Sequence, residues 1–535
     1  MRLNILTVAL ALLTQISVAF AAGPFADSLN RAPANWYNLD PETNQVQGVS
    51  TEKTYEILAG RKGEKVVVAV IDSGVDIDHE DLQGKVWMNP DEIAGNGVDD
   101  DQNGYVDDLY GWNFIGGADG SHVNYDTYEL TREYAMLQEK YEGVDIEKLP
   151  KKEREHFREI EEKFEQKASE AQQEYQAFMY FYKNFKRSQK LIEAYLDVDS
   201  LSMADVQSLE SVDDVVLMSK GFLEYAFENN LDESMLEQGI EHYEQSVKYG
   251  YNLEYNSRKI VGDNYADASE RYYGNSDVTG PDSRHGTHVA GIIAANRHNN
   301  LGTKGIADHV EIMAIRAVPN GDERDKDVAN AIYYAVDNGA DIINMSFGKS
   351  LSPNKALVDE AVRYAEEKGV LLIHAAGNSS ENIDETDNFP TRAYQNKGTA
   401  SNWIEVGASS WKGQQDFVAE FSNYGKRSVD VFAPGVDVYS TTPNQGYESL
   451  SGTSMAAPVT AGVAALLMSY YPNLDARQVK DIILTSAVKL DGLKVYVPGK
   501  MGKEVKFSNL SSTGGVVNAY EAVKRAESYQ IDQKR

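Results

Sequence analysis

Cysteine is absent from the sequence, and its absence excludes disulfide bonds and a lipid attached to an N-terminal cysteine. The folded chain must therefore draw its stability from core burial and, we expect, from bound ions. Basic residues are also scarce, because 51 Lys and Arg stand against 83 Asp and Glu, a formal net charge of −32. This charge argues against nucleic acid or an anionic membrane as a partner and favours the binding of divalent cations.

The N-terminus has the three regions of a secretory signal peptide. Arg2 supplies positive charge, residues 5–18 are mostly apolar, and Ala-Phe-Ala21 fits the small-x-small cleavage rule. The alternative is a membrane anchor, but the apolar stretch is short for a bilayer, and no later segment has a continuous apolar run of spanning length. We therefore expect residues 1–21 to be removed and the mature protein to be secreted or periplasmic, without a membrane span.

Short apolar runs rich in β-branched residues recur along the chain and are separated by helical patterns. Residues 65–72 form the first, and an unbroken run of this kind is typical of a strand buried on both faces of a parallel sheet. Similar runs occupy residues 310–318, 341–346, 370–376, 403–407 and 428–432, and helices are predicted over residues 325–338 and 354–368. Strands that alternate with helices predict an α/β fold.

Residues 125–257 break this alternation. Aromatic and aliphatic residues recur there at steps of three and four, which places them on one face of a helix over about 151–195. Ser202, Ser211 and Asp232 are candidate N-caps of further, shorter helices. We interpret the segment as an inserted all-helical subdomain whose apolar stripe is buried between its own helices; an exposed surface for a partner is the alternative.

Three short motifs contain the residue types of nucleophilic catalysis. Asp72 ends the first predicted strand, His285 lies in Arg-His-Gly-Thr-His-Val-Ala-Gly, and Ser454 lies in Ser-Gly-Thr-Ser-Met-Ala-Ala-Pro before an apolar helix. A serine hydroxyl is a weak nucleophile and needs a neighbouring base, and a buried carboxylate can orient the imidazole that serves as this base. A serine at a helix N-terminus also gains from the helix dipole, which favours a developing oxyanion.

These segments, in this order, resemble the signature motifs of the subtilase family of serine proteases. The resemblance extends over most of the chain outside the insertion. It implies a subtilisin-like three-layer α/β fold with a mostly parallel central sheet. It also implies that Asp72 is the orienting carboxylate, His285 the base and Ser454 the nucleophile of a secreted serine endopeptidase. His288, the second histidine of its motif, is expected to serve helix packing.

Two further segments match the family. Ala-Ala-Gly-Asn378 follows an apolar strand, and the resemblance implies that the Asn378 side chain donates to the oxyanion beside the Ser454 backbone N–H. Substrate backbone is expected to bind as an added β-strand, at Ser346, Phe347, Gly348, Ala376 and Gly377. The expected reaction is acyl transfer from protein or peptide substrates.

Residues 96–108 have the alternating oxygen spacing of a calcium loop. The predicted Ca²⁺ ligands are Asp99, Asp101, Asn103, the carbonyl of Tyr105, and Asp107. The twelfth position, which is glutamate in a regular EF-hand, is Tyr110, so Asp108 or a distant residue must complete the shell. A solvated acidic loop is the alternative, but carboxylates packed this closely without a cation repel one another. Structural calcium in many subtilases is a further reason to expect the ion.

These features divide the chain into a signal peptide (1–21), an N-terminal segment that packs on the catalytic domain (22–62), a first catalytic-domain segment (63–124), the helical insertion (125–257) and a second catalytic-domain segment (258–530). Because the 22–62 segment is too short for the inhibitory prodomain of many secreted subtilases, none is expected. The insertion leaves and rejoins the chain beside segments expected near the substrate cleft, so we expect a lid or specificity module.

Two other classes of function are alternatives: a catalytically silent peptide-binding protein, and a docking scaffold built on the helical insertion. The intact triad positions argue against the first. The sequence specifies neither the side chain preferred at the cleavage site nor the oligomeric state.

Overall fold

The computed structural model describes residues 31–229 and 231–533. The predicted signal peptide, residues 1–21, lies outside these described residues, as does the beginning of the 22–62 segment.

The described chain forms two compact units. The helical unit is Leu130–Tyr255, and the sheet unit combines residues 31–129 with residues 256–533. The helical unit falls within the predicted insertion, 125–257.

A nine-stranded sheet forms the centre of the sheet unit. The strands of this unit are β1 (Val66–Asp72), β2 (Gly111–Asn113), β3 (Val310–Arg316), β4 (Ile342–Met345), β5 (Leu371–Ala375), β6 (Trp403–Ser409), β7 (Val431–Pro434), β8 (Val438–Thr442), β9 (Gly446–Leu450), β10 (Val488–Lys489), β11 (Lys494–Val497), β12 (Lys500–Lys506) and β13 (Gly515–Val516). The large sheet has the order β10-β13-β7-β6-β5-β4-β1-β3-β2, and within the described residues β10 with β13 is its one antiparallel pair. Strands β8 and β9, and strands β11 and β12, form two small antiparallel sheets.

The central strands overlap the predicted apolar runs, although β7 begins three residues later than the run predicted over 428–432. Strands β4, β5, β6 and β7 are buried along their whole length. A parallel strand that is covered on both faces has no solvent side, so its sequence is continuously apolar rather than alternating. The predicted mostly parallel α/β sheet is confirmed.

Two hydrophobic cores lie on opposite faces of this sheet. Val68 and Val70 of β1 belong to one core, whereas Ala69 and Ile71 belong to the other. Successive residues of a strand point to opposite faces, so the sheet is the middle layer of three. The helices of the sheet unit are Pro41–Asn44, Thr51–Leu58, Arg258–Val261, Arg284–Ala294, Asp325–Asp337, Lys355–Lys368, Thr453–Tyr470, Ala476–Ser486 and Ala519–Gln533.

The described residues of the N-terminal segment pack into one of these cores. Trp36 and Tyr37 are fully buried. The Trp36 indole N–H lies 3.1 Å from the carbonyl oxygen of Val436, and the Tyr37 hydroxyl lies 2.7 Å from Thr303 Oγ1. Both rings therefore bury apolar area while their polar ends are satisfied.

The helical unit is dominated by one helix of 46 residues, Lys151–Leu196. Its length is about 69 Å at ~1.5 Å per residue, and its bounds match the predicted 151–195. The core of the unit contains Phe185, Ile192, Leu223 and Leu236. The other helices are Glu129–Lys140, Met203–Ser208, Asp214–Glu228, Glu233–Gln245 and the π-helix Ser246–Gly250.

Two of the three predicted N-caps in this unit are confirmed. The side chains of Ser202 and Asp232 accept from backbone N–H groups in the first turns of their helices. The prediction for Ser211 was wrong, because Asp213 caps the helix Asp214–Glu228 by accepting from the Val215 N–H at 2.8 Å. The Ser211 hydroxyl oxygen instead accepts from the Asp213 N–H, in the turn before the cap.

One helix among the described residues, Thr453–Tyr470, has the length and apolar composition of a membrane span. In this fold 89% of that stretch is buried. It contacts β4, β5, β6 and β7 as a core helix of the sheet unit.

Candidate active site

Three predicted site residues follow neighbouring strands of the sheet. Asp72 ends β1, Ser346 follows β4, and Asn378 lies three residues beyond β5. Strands β5, β4 and β1 are adjacent and parallel, so their carboxyl ends lie at one edge of the sheet. Ligands of open α/β sheets bind at this edge.

Asp72 and His285 form a short hydrogen bond. His285 lies in the first turn of the helix Arg284–Ala294, and its Nδ1 lies 2.7 Å from Asp72 Oδ1. The side chain of Asp72 is 2% exposed and that of His285 is 39% exposed, so a buried carboxylate holds an accessible ring. Because an ionised carboxylate only accepts, Nδ1 carries the proton, and Nε2 of the neutral ring is left as a base.

The glycine after His285 allows the helix to approach the end of β1. A Cβ at Gly286 would lie 2.1 Å from the carbonyl oxygen of Gly74 and 3.1 Å from Asp72 Cβ. Any larger residue would displace the helix and lengthen the Asp72–His285 bond. Backbone packing thus accounts for the glycine of the motif.

Ser454 is the second residue of the helix Thr453–Tyr470, so it lies at the positive end of the helix dipole. Its hydroxyl donates to the carbonyl oxygen of Ser346 at 3.0 Å, and the Ser346 hydroxyl donates to the carbonyl oxygen of Ser454 at 2.9 Å. The described residues include no hydrogen bond between Ser454 and His285. The structure therefore joins Asp72 to His285 and Ser454 to Ser346.

Thr453, which the sequence reasoning missed, orients the carboxamide of Asn378. The Thr453 backbone N–H and its hydroxyl both donate to Asn378 Oδ1 at 2.9 Å. The amide nitrogen, Nδ2, is thereby directed away from Thr453. A Cβ built on Gly452 would lie 3.4 Å from Asn378 Nδ2 and 3.5 Å from the Ser454 backbone nitrogen. Both nitrogens therefore border the same space beside Gly452, where an oxyanion could accept from them.

The predicted substrate-binding residues lie on two segments of this edge. Ser346 is buried, Phe347 is half-buried and Gly348 is exposed; we call these three residues the substrate strand. Ala376 is fully buried, and the Gly377 N–H donates to Thr453 Oγ1 at 3.1 Å.

The two histidines of the motif have different electrostatic environments. Burial lowers the pKa of His285, but the charge and the hydrogen bond of Asp72 more than offset it, so the net pKa is raised. Burial lowers the pKa of His288 to about 3, so this ring is neutral, and its Nε2–H donates to the carbonyl oxygen of Glu448 at 3.1 Å. The His288 ring is fully buried and bonded to strand β9, which agrees with the predicted packing role of this residue.

The acidic loop brings together a group that only partly overlaps the predicted calcium ligands. Glu92, Asp99 and Asp101 each offer a carboxylate oxygen within 4.8 Å of the others. Glu92 is 8% exposed, and its Oε2 has no hydrogen-bond partner among the described residues. A buried carboxylate that has one unpartnered oxygen and two further carboxylates within 4.8 Å is an arrangement that a hard cation stabilises.

Asp107, the other predicted carboxylate, lies outside this group of three, although its backbone contacts resemble those of Asp99, whose oxygens accept from the Asn103 and Gly104 N–H groups. Both Asp107 oxygens accept backbone N–H groups, from Asn96 at 3.1 Å and from Gly97 at 2.9 Å. Asn103 Oδ1 accepts from the Tyr105 N–H at 2.8 Å. The Tyr105 ring is buried against Trp112, at 5.0 Å between ring centroids. Glu92, which was not predicted, precedes the loop in Pro-Asp-Glu; its sequence signal was its nearness to an acidic run.

A carboxylate-bound imidazole, a serine at a helix N-terminus and a neighbouring carboxamide, on the carboxyl edge of a parallel sheet, are the components of a serine hydrolase. Comparison with known proteins agrees with this class. The model of the subtilase family matches residues 63–515, and the chain belongs to that family of serine endopeptidases.

Curated relatives of the chain are bacterial proteases. The thermophilic serine proteinase of Bacillus sp. strain AK1 is 42% identical over 40% of this chain and 49% of its own length. Thermitase of Thermoactinomyces vulgaris is 38% identical over 49% of this chain and 85% of its own. Subtilisin DY of Bacillus licheniformis is 38% identical over 46% and 83%. The matches thus cover about half of the first relative and more than four fifths of the other two.

Proposed function

We propose that this chain is a secreted endopeptidase in which Ser454 is the nucleophile, His285 the general base and acid, Asp72 the orienting carboxylate and Asn378 an oxyanion donor. The strongest single support is the 2.7 Å bond between Asp72 Oδ1 and His285 Nδ1. It leaves Nε2 as the basic nitrogen, at the sheet edge where Asn378 contacts the helix that bears Ser454.

The proposed cycle begins with acylation. Ser454 Oγ bonds to the carbonyl carbon of the substrate while its proton passes to His285 Nε2. The charge that develops on the carbonyl oxygen is stabilised by Asn378 Nδ2–H and the Ser454 backbone N–H. The C–N bond then breaks, His285 returns the proton to the leaving amine, and the acyl group stays on Ser454.

Deacylation repeats these steps with water. His285 Nε2 takes a proton from water as the oxygen attacks the acyl carbon, and the bond from that carbon to Ser454 Oγ breaks. His285 then gives the proton to Ser454 Oγ, which restores the hydroxyl.

The Ser454 hydroxyl must turn before the first step, because it donates to the carbonyl oxygen of Ser346 in the structure. The proposal requires that rotation about χ1 of Ser454 redirect the hydroxyl toward His285 Nε2. A substrate lying along the substrate strand brings its own backbone N–H groups, which can replace the donor that Ser346 loses. Catalytic hydrogen bonds often tighten only in the substrate complex.

Labelling by a fluorophosphonate tests this proposal and its main alternative. We expect wild-type protein to be labelled and to cleave a protein substrate, and Ser454→Ala to do neither. Ser449→Ala, at an exposed serine five residues earlier, is the matched control and should retain both properties. Labelling of Ser454→Ala would remove the nucleophile assignment, whereas unlabelled wild-type protein that still binds peptides would favour the silent peptide-binding alternative.

We further propose that residues 1–21 direct export and that Ca²⁺ binds at the acidic loop. Glu92, Asp99 and Asp101 are the residues that would hold the ion, since their carboxylates converge and Glu92 Oε2 lacks another partner among the described residues. The ion would neutralise their mutual repulsion and stabilise the loop. N-terminal sequencing of the mature protein from medium and from periplasm tests export, with residue 22 expected first.

A further inference from the structure

A buried network links the interior of the sheet to the substrate strand. His374, in β5, places Nε2 2.9 Å from the carbonyl oxygen of Phe347 and Nδ1 2.9 Å from Glu405 Oε1. The other carboxylate oxygen of Glu405 accepts from the Trp403 indole N–H at 2.7 Å. His374 and Trp403 are fully buried and Glu405 is 5% exposed, so none of them can reach a substrate directly.

The protons of this network can be assigned from its partners. The Phe347 carbonyl oxygen can only accept, so His374 Nε2 carries a proton. The contact between Nδ1 and Glu405 needs one further proton between the two atoms. Both ring nitrogens and both carboxylate oxygens are then satisfied, which is the condition for a buried polar group to hold one orientation. The ring is therefore a fixed donor aimed at Phe347.

This donor and the nucleophile bond to different carbonyl groups of the substrate strand. Successive carbonyl groups of this segment have different partners, because that of Ser346 accepts from the Ser454 hydroxyl and that of Phe347 accepts from His374 Nε2. The Phe347 carbonyl is thus directed at His374 in the interior of the sheet and not at Ser454. The bond from His374 can therefore fix the strand without occupying the Ser346 carbonyl, which remains available to substrate backbone once the Ser454 hydroxyl turns away.

We propose that His374 is a positioning residue that holds the substrate strand in register with Ser454, with Glu405 and Trp403 as its supports. The inference rests on the proposed function, since it assumes that substrate backbone pairs with Ser346–Gly348. Its consequence depends on substrate length. A peptide that pairs with the strand over several residues needs the strand in place, whereas a small ester that reaches only Ser454 does not.

Two substitutions at one position separate positioning from simple stabilisation. In His374→Gln the amide nitrogen replaces Nε2, so the bond to Phe347 is kept and the bond to Glu405 is lost. In His374→Asn the amide nitrogen replaces Nδ1, so the bond to Glu405 is kept and the bond to Phe347 is lost. A structural role predicts more damage from His374→Gln, because it strands a buried carboxylate. Positioning predicts more damage from His374→Asn.

The measurement is kcat/KM, per fluorophosphonate-reactive site, for a tetrapeptide amide and for a single-residue ester. We expect His374→Asn to lose about tenfold or more on the tetrapeptide, since small misplacements cost up to about 10², and to stay within about twofold on the ester. His374→Gln should lose less on the tetrapeptide. Equal losses on both substrates, or a larger loss for His374→Gln, would overturn the proposal.

A milder variant covers the case in which both substitutions prevent folding. Trp403→Phe leaves His374 intact and removes one support of Glu405, so we expect a smaller loss that is still confined to the tetrapeptide. A loss shared by the ester would contradict positioning. Failure of the proposed function itself is distinguishable, because wild-type protein would then not be labelled at Ser454.

Discussion

At the scale of the residue, two side chains of the proposed site each have one polar atom held by a neighbouring residue. The other polar atom of each side chain remains available for the reaction. Asn378 Oδ1 accepts twice from Thr453, which turns Nδ2 toward the space beside Gly452. His285 Nδ1 is committed to Asp72, which leaves Nε2 for proton transfer. In both cases a neighbour with no direct part in the proposed reaction determines which atom takes part in it.

Replacing Asn378 separates these two functions of its carboxamide. Asn378→Asp keeps the acceptor for Thr453 but replaces the Nδ2–H donor by an oxygen, so the loop is retained and the oxyanion loses a donor. We expect kcat to fall by at least about 10²–10³-fold with little change in KM, because the carboxylate offers no donor and also repels the oxyanion. The check is steady-state kinetics on one peptide, with thermal unfolding to verify the fold. A rise in KM with kcat unchanged would show instead that Asn378 binds the ground state.

The fall of kcat/KM at low pH reports the protonation of the His285 ring. This ring must be neutral to act as a base, and Asp72 raises its pKa above the ordinary value of 6.5. The kcat/KM of the wild type should therefore fall as pH drops through a midpoint above 6.5. In Asp72→Asn only burial remains as the main influence, so the midpoint should move to lower pH while the rate falls about 10⁴-fold.

If the midpoint of Asp72→Asn is the same as that of the wild type, a group other than His285 controls the fall of kcat/KM at low pH. His298 supplies a control, because it is an exposed histidine that lies 2.9 Å from Asp308 and away from the strand edge. His298→Gln should leave the profile unchanged.

Single residues were predictable where a local motif contains them and unpredictable where only the fold gives them a partner. Asp72, His285, Ser454 and Asn378 stand in short, specific segments. His374 stands in an apolar strand, and its importance comes from Glu405 and Phe347, which lie 31 and 27 residues away in the chain. No pattern within the strand indicates such partners.

At the scale of the element, periodicity predicted the long regular structures well. The helix Lys151–Leu196 was predicted to within one residue, because its aromatic positions repeat along one face. The bounds of short elements were harder to predict from the sequence. Ser211 and Asp213 are both good caps by residue type, and the choice between them depended on which residue adopted the extended conformation before the first turn.

The acidic loop is an element whose proposed ligands can be tested against each other. Glu92→Gln keeps an acceptor for the Asp100 N–H, which lies 2.8 Å from Glu92 Oε1, but removes a charge from the converging group. We expect calcium to raise the Tm of the wild type, by a stabilisation of about 2.7 kcal/mol when calcium is at 100 times its Kd. EDTA should remove this gain, and Glu92→Gln should show much less of it.

The matched control is Asp107→Asn, at a carboxylate that accepts from Asn96 and Gly97. Its calcium-dependent gain in Tm should persist even if its absolute Tm falls. Loss of the gain in Asp107→Asn but not in Glu92→Gln would support the ligands predicted from sequence spacing. An identical Tm for the wild type in calcium and in EDTA would remove the calcium proposal.

At the scale of the whole molecule, the chain is one α/β unit with a helical unit inserted into it. The chain on the two sides of the insertion is tied together within the sheet unit. The Ser257 hydroxyl donates to Asp126 Oδ2 at 2.7 Å, and Arg324 Nε and Nη2 donate to the two oxygens of Asp126 at 2.7 and 2.9 Å. A buried, paired carboxylate of this kind is costly to disturb. These bonds all lie within the sheet unit, so they can hold the two chain segments that flank the insertion together when the helical unit is removed.

These bonds make removal of the helical unit a practical experiment. Residues 130–255 would be replaced by a short Gly-Ser linker, with Asp126 and Ser257 retained to hold the two ends. If the helical unit is a lid or specificity module, the variant should keep fluorophosphonate labelling and its rate on a tetrapeptide, because the proposed catalytic residues all lie in the sheet unit. Its set of cleavage sites in folded proteins should change, since only large substrates extend beyond the substrate strand.

The control for this deletion is the full-length chain with Asp126→Asn, which weakens only the bonds between Asp126, Ser257 and Arg324. Identical cleavage maps with and without the helical unit would exclude a role of this unit in selecting substrates. Fewer chains per assembly in solution after the deletion would instead favour the docking scaffold.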